Sequence, residues 1–321
     1  MQIHEDYLLS QVLWYKIGGK AKYFLQCRNR DDIVEALDFI AAKKPNKLFI
    51  CGQGTNLIFS DDYFDGAVIQ IVTTADNRDV VVKDNVVTAF AGTILDDVIL
   101  AAFENGLTGL EWAGGLPGTV GAGVRGNVGA YGGEIKDTLI SAEVIDYSGK
   151  KPKLLTLTNE ELQFVYRGSF VKTQKKMVVV SAVFGLQKST ETELESAKAI
   201  YEKNRQSRQD KHPLEYPNCG SVFKNLRKPE EIEKVLSVFP ELKDDVEKKW
   251  YGKVAVASLI EKFGMKGYRV GDAQISEKHA LFIVNLGGAT AADVLQIISD
   301  IKEKFINAFG FEPEVEVEIV R

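Results

Sequence analysis

The chain has 321 residues, 45% hydrophobic and 26% charged, with a net charge of -5. That composition is globular, and at ~150 residues per domain the length suggests two or three domains. The absence of a basic block argues against non-specific nucleic-acid or polybasic membrane binding, while an anionic ligand held by backbone N–H groups stays open. The N-terminal MQIHEDYLLSQVLWYKIGG lacks the basic-then-apolar pattern of a secretory signal, and no apolar run approaches the ~18 residues of a membrane helix. Cys27, Cys51 and Cys219 are widely spaced and form neither a zinc pattern nor a disulfide framework, so a reduced, cytoplasmic setting and no metal are expected.

In chain order, residues 31–44 read as an amphipathic helix with an acidic start near Asp31. KLFICG and GAVIQIV read as strands, giving a β-α-β-type unit up to about residue 72. DVVVKDNVVTAF reads as a hairpin turning at Asp84-Asn85, and residues 94–105 as a helix stopped by Gly106. The glycine-dense stretch 106–134 reads as a long, ordered, functional loop. SAEVIDY, KLLTLT and MVVVSAVFGLQ read as strands, and residues 190–209 as a polar helix. Beyond Pro213 and Pro217, helices are expected at PEEIEKVLSVF and VAVASLIEKFG and a strand at HALFIVNL. ADVLQIISDIKEKFINAF reads as a helix with Val294, Ile297, Ile298 and Ile301 on one face, and the alternating EVEVEIV as a final strand.

Two glycine-rich segments are candidate phosphate cradles. Gly52-Gln53-Gly54-Thr55-Asn56 follows the LFIC strand, where glycines let successive N–H groups converge on an anion; a plain strand-to-strand turn is the bland alternative. The second is Gly114-Gly115-Leu116-Pro117-Gly118-Thr119-Val120-Gly121. Its continuation Gly121-Ala122-Gly123-Val124-Arg125-Gly126 matches G-x-G-x-x-G, with Asp146 some twenty residues on. A dinucleotide fingerprint needs a strand before the glycines and a helix opening on them. Glycines and Pro117 precede them and Asn127-Val128-Gly129 follows, so another kind of phosphate loop is the better reading. The residues by themselves imply binding of a dinucleotide or sugar nucleotide by two loops from two domains. His4, His212 and His279 are scattered and suggest no site.

Seven segments, in order and spanning essentially the whole chain, carry a resemblance to a known family. They are YKIGGKA (15–21), GQGTNLIFSD (52–61), GLPGTVGAGVRGNVGAYGGEI (115–135), YRGSFVK (166–172), PNCGSVFKN (217–225), SLIEKFGMKGYRVGDAQISEKHALFIVN (258–285) and EPEVEVEIV (312–320). The chain resembles the UDP-N-acetylenolpyruvoylglucosamine reductase family. That resemblance implies an α+β fold, with a two-part FAD-binding module of the vanillyl-alcohol-oxidase (PCMH) type plus a C-terminal α+β substrate-binding domain. The implied boundaries are 1–72 for the first FAD subdomain, with 308–321 returning to it as a strand, and 73–189 for the second. A linker helix at 190–204 and a substrate domain at 205–307 follow. The short stretch between YRGSFVK and PNCGSVFKN looks like the subgroup lacking an extra substrate-covering loop. Two positions depart from the family: Trp14 stands where Thr is usual, and Cys219, a candidate oxidation site, where Ala is common.

The implied reaction is reduction of the enolpyruvyl group of UDP-N-acetylglucosamine-enolpyruvate to UDP-N-acetylmuramate. NADPH gives hydride to non-covalent FAD, flavin N5 passes it to C3, and C2 is protonated. Hydride addition builds negative charge at C2 and on the adjacent carboxylate, which fixed donors must meet. The resemblance gives Arg167, with its carboxylate-matching fork, this task, Glu314 a supporting one at the same carboxyl, and Ser221 the role of proton donor to C2. Lys224 and Asn225 would stabilise the serine alkoxide, and Tyr166 would line the substrate or nicotinamide pocket. Lys262, Lys266 and His279 are candidates for the UDP phosphates. FAD binding would use Gly52, Gln53, Gly54, Thr55, Asn56 and Leu57. It would also use Pro117, Gly118, Thr119, Val120, Gly121 and Gly123, with Arg125, Gly126 and Asn127 close by. Without the resemblance, Arg167 reads as a structural ion pair, Glu314 as a solvated strand residue and Ser221 as a cap. A related flavin oxidase or dehydrogenase and a non-enzymatic sugar-nucleotide binder are the competing functions. No nucleic acid or membrane partner is expected, and the protein is expected to be a monomer or weak dimer.

Overall fold

The computed structural model describes residues 1–73, 79–149, 151–174 and 176–321. The principal elements are β1 (Gln2–Leu8), β2 (Lys20–Cys27), α1 (Arg30–Lys43), β3 (Lys47–Cys51), β4 (Leu57–Phe59), β5 (Phe64–Ile71), β6 (Val80–Lys83), β7 (Val86–Phe90), α2 (Leu95–Glu104), α3 (Val120–Gly126), β8 (Leu139–Asp146), β9 (Lys153–Thr158) and β10 (Met177–Gly185). They continue with α4 (Glu191–Lys211), β11 (Asn218–Ser221), α5 (Pro229–Val238), α6 (Val256–Lys262), β12 (Arg269–Val270), β13 (Ala273–Ile275), β14 (Phe282–Asn285), α7 (Ala291–Phe309) and β15 (Glu318–Val320). Two compact units emerge. Unit 1 comprises 1–7, 21–53 and 64–210; unit 2 comprises 8–20, 54–63 and 211–321.

Unit 1 holds a sheet of order β1-β2-β5-β3, in which β5 lies parallel to both β2 and β3. The near-continuous apolar run of β5 is buried along almost its whole length, as a strand covered on both faces requires. Its exception is Gln70, a buried polar residue. Helix α1 begins one residue earlier than the sequence suggests, because Asn29 caps it by accepting from the Asp32 N–H at 2.9 Å. An antiparallel sheet of order β9-β8-β10-β7-β6 follows, and the hairpin β6–β7 turns where expected, with Asp84 at φ 56°. One hydrophobic core runs from Leu25 and Ile33 through Val98, Val144 and Phe184 to Tyr201.

The stretch 106–134 differs from expectation. Its glycines do not prevent a regular element: α3 forms over Val120–Gly126 and ends on Asn127 at φ 43°. Gly121 permits it, since a Cβ there would meet the Ala91 Cβ at 2.7 Å. The glycines of the G-x-G-x-x-G match therefore lie inside the helix, and no strand-turn-helix fingerprint exists here.

Unit 2 is built on the sheet β11-β14-β13-β12, and its core includes the predicted apolar face of α7. Val294, Ile297, Ile298 and Ile301 are all buried, joined by Phe305 and Phe309. Each such side chain contributes roughly 1.5–3 kcal/mol. Thr290 and Asp293 form a capping box, and Gly310 at φ 72° ends the helix. The C-terminal alternation is only partly a strand: β15 covers Glu318–Val320 and pairs in parallel with β4, while Val315 makes an isolated bridge to Phe223.

Candidate functional site

The first glycine segment runs from unit 1, which holds Gly52 and Gln53, into unit 2, which holds Gly54 and Thr55. Gly52 approaches Thr119 so closely that a Cβ would lie 2.4 Å from its Oγ1, which brings the two glycine-rich segments face to face. Behind them, the Gln70 amide donates to the Gly52 carbonyl at 3.3 Å and accepts from Gln26 Nε2 at 3.1 Å. A glutamine interrupting the apolar run of residues 67–71 is the trace this support leaves in the sequence. The two segments differ in what they offer. The N–H groups of Gln53, Gly54 and Thr55 donate to no acceptor among the described residues. Those of Val120 and Gly121 are already bonded to the Thr93 and Ala91 carbonyls, at 2.9 and 2.8 Å. The first segment leaves open backbone donors of the kind that can hold a diphosphate, while the second meets Gly52 with its Thr119 side chain. Leu57, also proposed at the cofactor, is a core residue of β4.

Past α3, Asn127 is fully buried, and its amide donates to Glu134 at 2.9 Å and to the Val165 carbonyl at 3.1 Å. Burial acts to raise the Glu134 carboxyl, but Lys136 and Asn127 outweigh it and hold the group below its ordinary value. The Ser169 hydroxyl donates to the Arg125 carbonyl at 2.8 Å. Between these anchors Val165 and Gly168 close a tight turn by reciprocal backbone bonds of 3.0 and 3.1 Å, with Tyr166 and Arg167 at its centre. Arg167 has φ 59°, the left-handed region, which costs a residue with a Cβ about 1 kcal/mol. Its Nη1 donates to the Gly129 carbonyl at 3.1 Å, and its guanidinium lies 5.2 Å from the Tyr166 ring centroid. A strained, half-buried cation anchored from several sides is a feature to associate with function.

Ser221 ends β11 in unit 2 and is not a helix cap. Its half-buried hydroxyl makes no hydrogen bond among the described residues. Just past it, residues 222–224 run antiparallel to 314–316, with Lys224 N–H donating to the Glu314 carbonyl at 2.9 Å and Glu316 N–H to that of Val222 at 2.8 Å. The same register joins Lys224 Nζ to Glu314 Oε1 at 2.5 Å. The pair joins residues 90 positions apart in the chain, which alternation alone could not reveal. Asn225 has a structural duty, since its Oδ1 accepts from Val256 N–H at 3.2 Å at the start of α6. The Thr55 carbonyl lies 3.8 Å from where a Gly220 Cβ would be, so the later half of the first glycine segment touches the serine-bearing strand.

Comparison with known proteins bears on all of this. A family model described as UDP-N-acetylenolpyruvoylglucosamine reductase, C-terminal domain, matches residues 212–320, and one described as FAD binding domain matches residues 21–153. The UDP-N-acetylenolpyruvoylglucosamine reductase of Agathobacter rectalis is 39% identical, over 98% of this chain and 93% of its own. That of Caldicellulosiruptor saccharolyticus is 38% identical, over 97% and 90%. The chain belongs to the UDP-N-acetylenolpyruvoylglucosamine reductase family. The crystal structure of the Thermus caldophilus reductase superposes over 100% of both chains with a TM-score of 0.75 at 26% identity. The α+β architecture with an FAD-binding module is thereby established.

Within this family frame, both glycine segments fall inside the FAD-binding match, and Ser221, Lys224 and Glu314 inside the C-terminal match; Arg167 lies in neither. The weaker candidates fare differently. Lys262 and Lys266 are ion-paired with Glu241 and Glu261 at 2.6 and 3.0 Å. Burial pushes the His279 imidazole below its ordinary value, and its Nδ1 accepts from Leu281 N–H at 3.2 Å. Cys219 is corrected: it is fully buried, and burial pushes its thiol up to about 12, which removes the thiolate that oxidation needs. Trp14 is exposed. No helix among the described residues is long and apolar enough to cross a membrane.

Proposed function

We propose that this chain reduces the enolpyruvyl group of UDP-N-acetylglucosamine-enolpyruvate to UDP-N-acetylmuramate, a peptidoglycan precursor, with NADPH as reductant and FAD held non-covalently. Bound FAD supplies the hydride-transfer chemistry that links the nicotinamide to C3 of the substrate. The donors at Gln53, Gly54 and Thr55, backed by the Gly52–Thr119 contact, hold the FAD diphosphate. Arg167 binds the substrate carboxylate, its permanent charge meeting the negative charge that grows there as C3 becomes saturated. Tyr166 packs beside the guanidinium and orients it. Ser221 Oγ–H gives its proton to C2, and the alkoxide recovers a proton from solvent. Serine suffices because the carbanionic C2 is a far stronger base than a serine alkoxide. Glu314 acts at the carboxyl end of the substrate, kept in place by Lys224.

The single observation that carries this reading is the hydroxyl of Ser221: a half-buried residue, paired with Phe282 at the end of its strand, whose hydroxyl makes no hydrogen bond among the described residues. The test separates the two half-reactions. Anaerobic mixing of the NADPH-reduced enzyme with the enolpyruvyl sugar nucleotide reoxidises the flavin in the unaltered protein. Ser221→Ala leaves reduction by NADPH near normal and slows reoxidation by ~100-fold or more, the usual reach of a general acid. Equal loss in both half-reactions removes Ser221 as the acid.

A further inference from the structure

Strand β11 is irregular at the point where it matters. Asn218 pairs with Val284 and Ser221 with Phe282, so three steps along β11 are set against two along β14. In an unbroken antiparallel ladder the residue opposite Phe282 would be Gly220, and Ser221 would present its side chain to the opposite face. The extra residue is a β-bulge, and it decides which way the hydroxyl points. Gly220, at φ 78°, supplies the left-handed conformation that the bulge needs.

The side chain of Asn218 holds this bulge shut. It is 6% exposed, and three of its hydrogen-bonding positions are used. Oδ1 accepts from the Gly220 N–H at 3.0 Å, closing an Asx turn over the inserted residue. Nδ2 donates to the Pro213 carbonyl at 3.3 Å and the Tyr216 carbonyl at 3.0 Å, tying the turn to the segment that leads into the strand. The neighbouring strand is fixed in its turn: Asn285 N–H donates to the Pro217 carbonyl at 2.9 Å, and the Tyr15 hydroxyl to the Ile283 carbonyl at 2.8 Å. These neighbours of Ser221 are bonded, and among the described residues the Ser221 hydroxyl is not.

We propose that Asn218 is a positioning residue for proton transfer, acting through Ser221 by locking the bulge that aims its hydroxyl. This rests on Ser221 being the proton donor, and the experiment keeps the two apart. Holoenzyme carrying Asn218→Ala, Asn218→Asp, Ser221→Ala or Asn218→Ala with Ser221→Ala is followed anaerobically through both half-reactions. Asn218→Ala slows flavin reoxidation by the enolpyruvyl substrate ~100-fold, the scale of an ångström-level misplacement, with reduction by NADPH and substrate affinity near normal. Asn218→Asp keeps the acceptor facing the Gly220 N–H but sets an oxygen against the Pro213 and Tyr216 carbonyls, so it recovers only a small part of that loss. In the Ser221→Ala background the Asn218 substitution has no further effect, since it has nothing left to aim.

A full additional loss in that background overturns the proposal, as does a single Asn218→Ala within ~3-fold of the unaltered enzyme. If Ser221→Ala by itself reoxidises normally, the proton-donor assignment fails, and the positioning role falls with it. Should Asn218→Ala not fold, Gly220→Ala strains the same bulge without touching Asn218. It must reproduce the loss confined to reoxidation, and normal reoxidation by that variant also overturns the proposal.

Discussion

The Gly52–Thr119 approach in unit 1 is made possible by bare backbone, and the surroundings of Ser221 in unit 2 consist of side chains aimed by irregular backbone. Around Gly52 the lack of a side chain lets the Thr119 side chain approach, and the proposed function resides in N–H groups. Around Ser221 the proposed function resides in one hydroxyl and one ion pair, and their directions come from a bulge and from the return of residues 314–316 beside 222–224. A backbone site tolerates changes of side chain and fails when atoms are added. A side-chain site fails when its direction is lost, even with every functional group still present.

The sharpest separation of the two regions uses their buried thiols. Cys27 lies in unit 1 and Cys219 in unit 2; both are fully buried, and burial pushes both thiols up to about 12. Each is labelled only when its own unit opens, at rates ~1000-fold or more below those of the unfolded chain. Peptide mapping of labelling at rising urea should give two different opening profiles. Coincident profiles would make the two units one cooperative fold and dissolve the comparison.

A smaller effect tests the backbone cradle. Gly52→Ala forces a methyl against Thr119 and is expected to weaken FAD retention about 10-fold, the consequence of 1–3 kcal/mol of overpacking. Adding Thr119→Ala leaves the Thr119 Cβ, 3.3 Å from the new atom, as the nearest obstacle and should restore much of the loss. The flavin-to-protein absorbance ratio after dialysis is the measurement. Unchanged occupancy in the single variant would take Gly52 out of the cradle.

The smallest effect belongs to unit 2 and to pH. His279 packs against His212 and Phe282, with Glu261 and Lys266 as its nearby charges, and burial depresses its folded-state value. The unfolded chain therefore takes up a proton before the folded one does. The stabilisation is present above the unfolded value of about 6.5 and is lost as pH falls below it toward the depressed folded value. Urea midpoints should drop across that window and drop less in His279→Asn. An equal drop in both proteins would assign the acid sensitivity elsewhere.

Much of this architecture was legible in local pattern. The apolar face of α7, the Asp84-Asn85 turn and the strand KLLTLT follow from periodicity and turn chemistry, which neighbouring residues determine among themselves. The helix α3 was not legible, because glycine's low propensity describes an isolated helix, whereas tertiary hydrogen bonds to Thr93 and Ala91 anchor this one. Gln70 and Asn218 were visible only as a polar residue in an apolar strand and an Asn-x-Gly spacing, signals too common to select a site.

The sequence by itself determined which residue types are available, glycines where backbone must approach, an arginine and a serine, while the expected roles of the arginine and the serine came from the family resemblance. Their directions were decided by tertiary structure alone. The left-handed turn at Arg167, the bulge before Ser221 and the Lys224–Glu314 pair each depend on segments distant in the chain or on a register set by a neighbouring strand. The physical reason is that composition and spacing fix what a residue can donate or accept, while a side chain's aim is a property of the backbone that packing has closed around it.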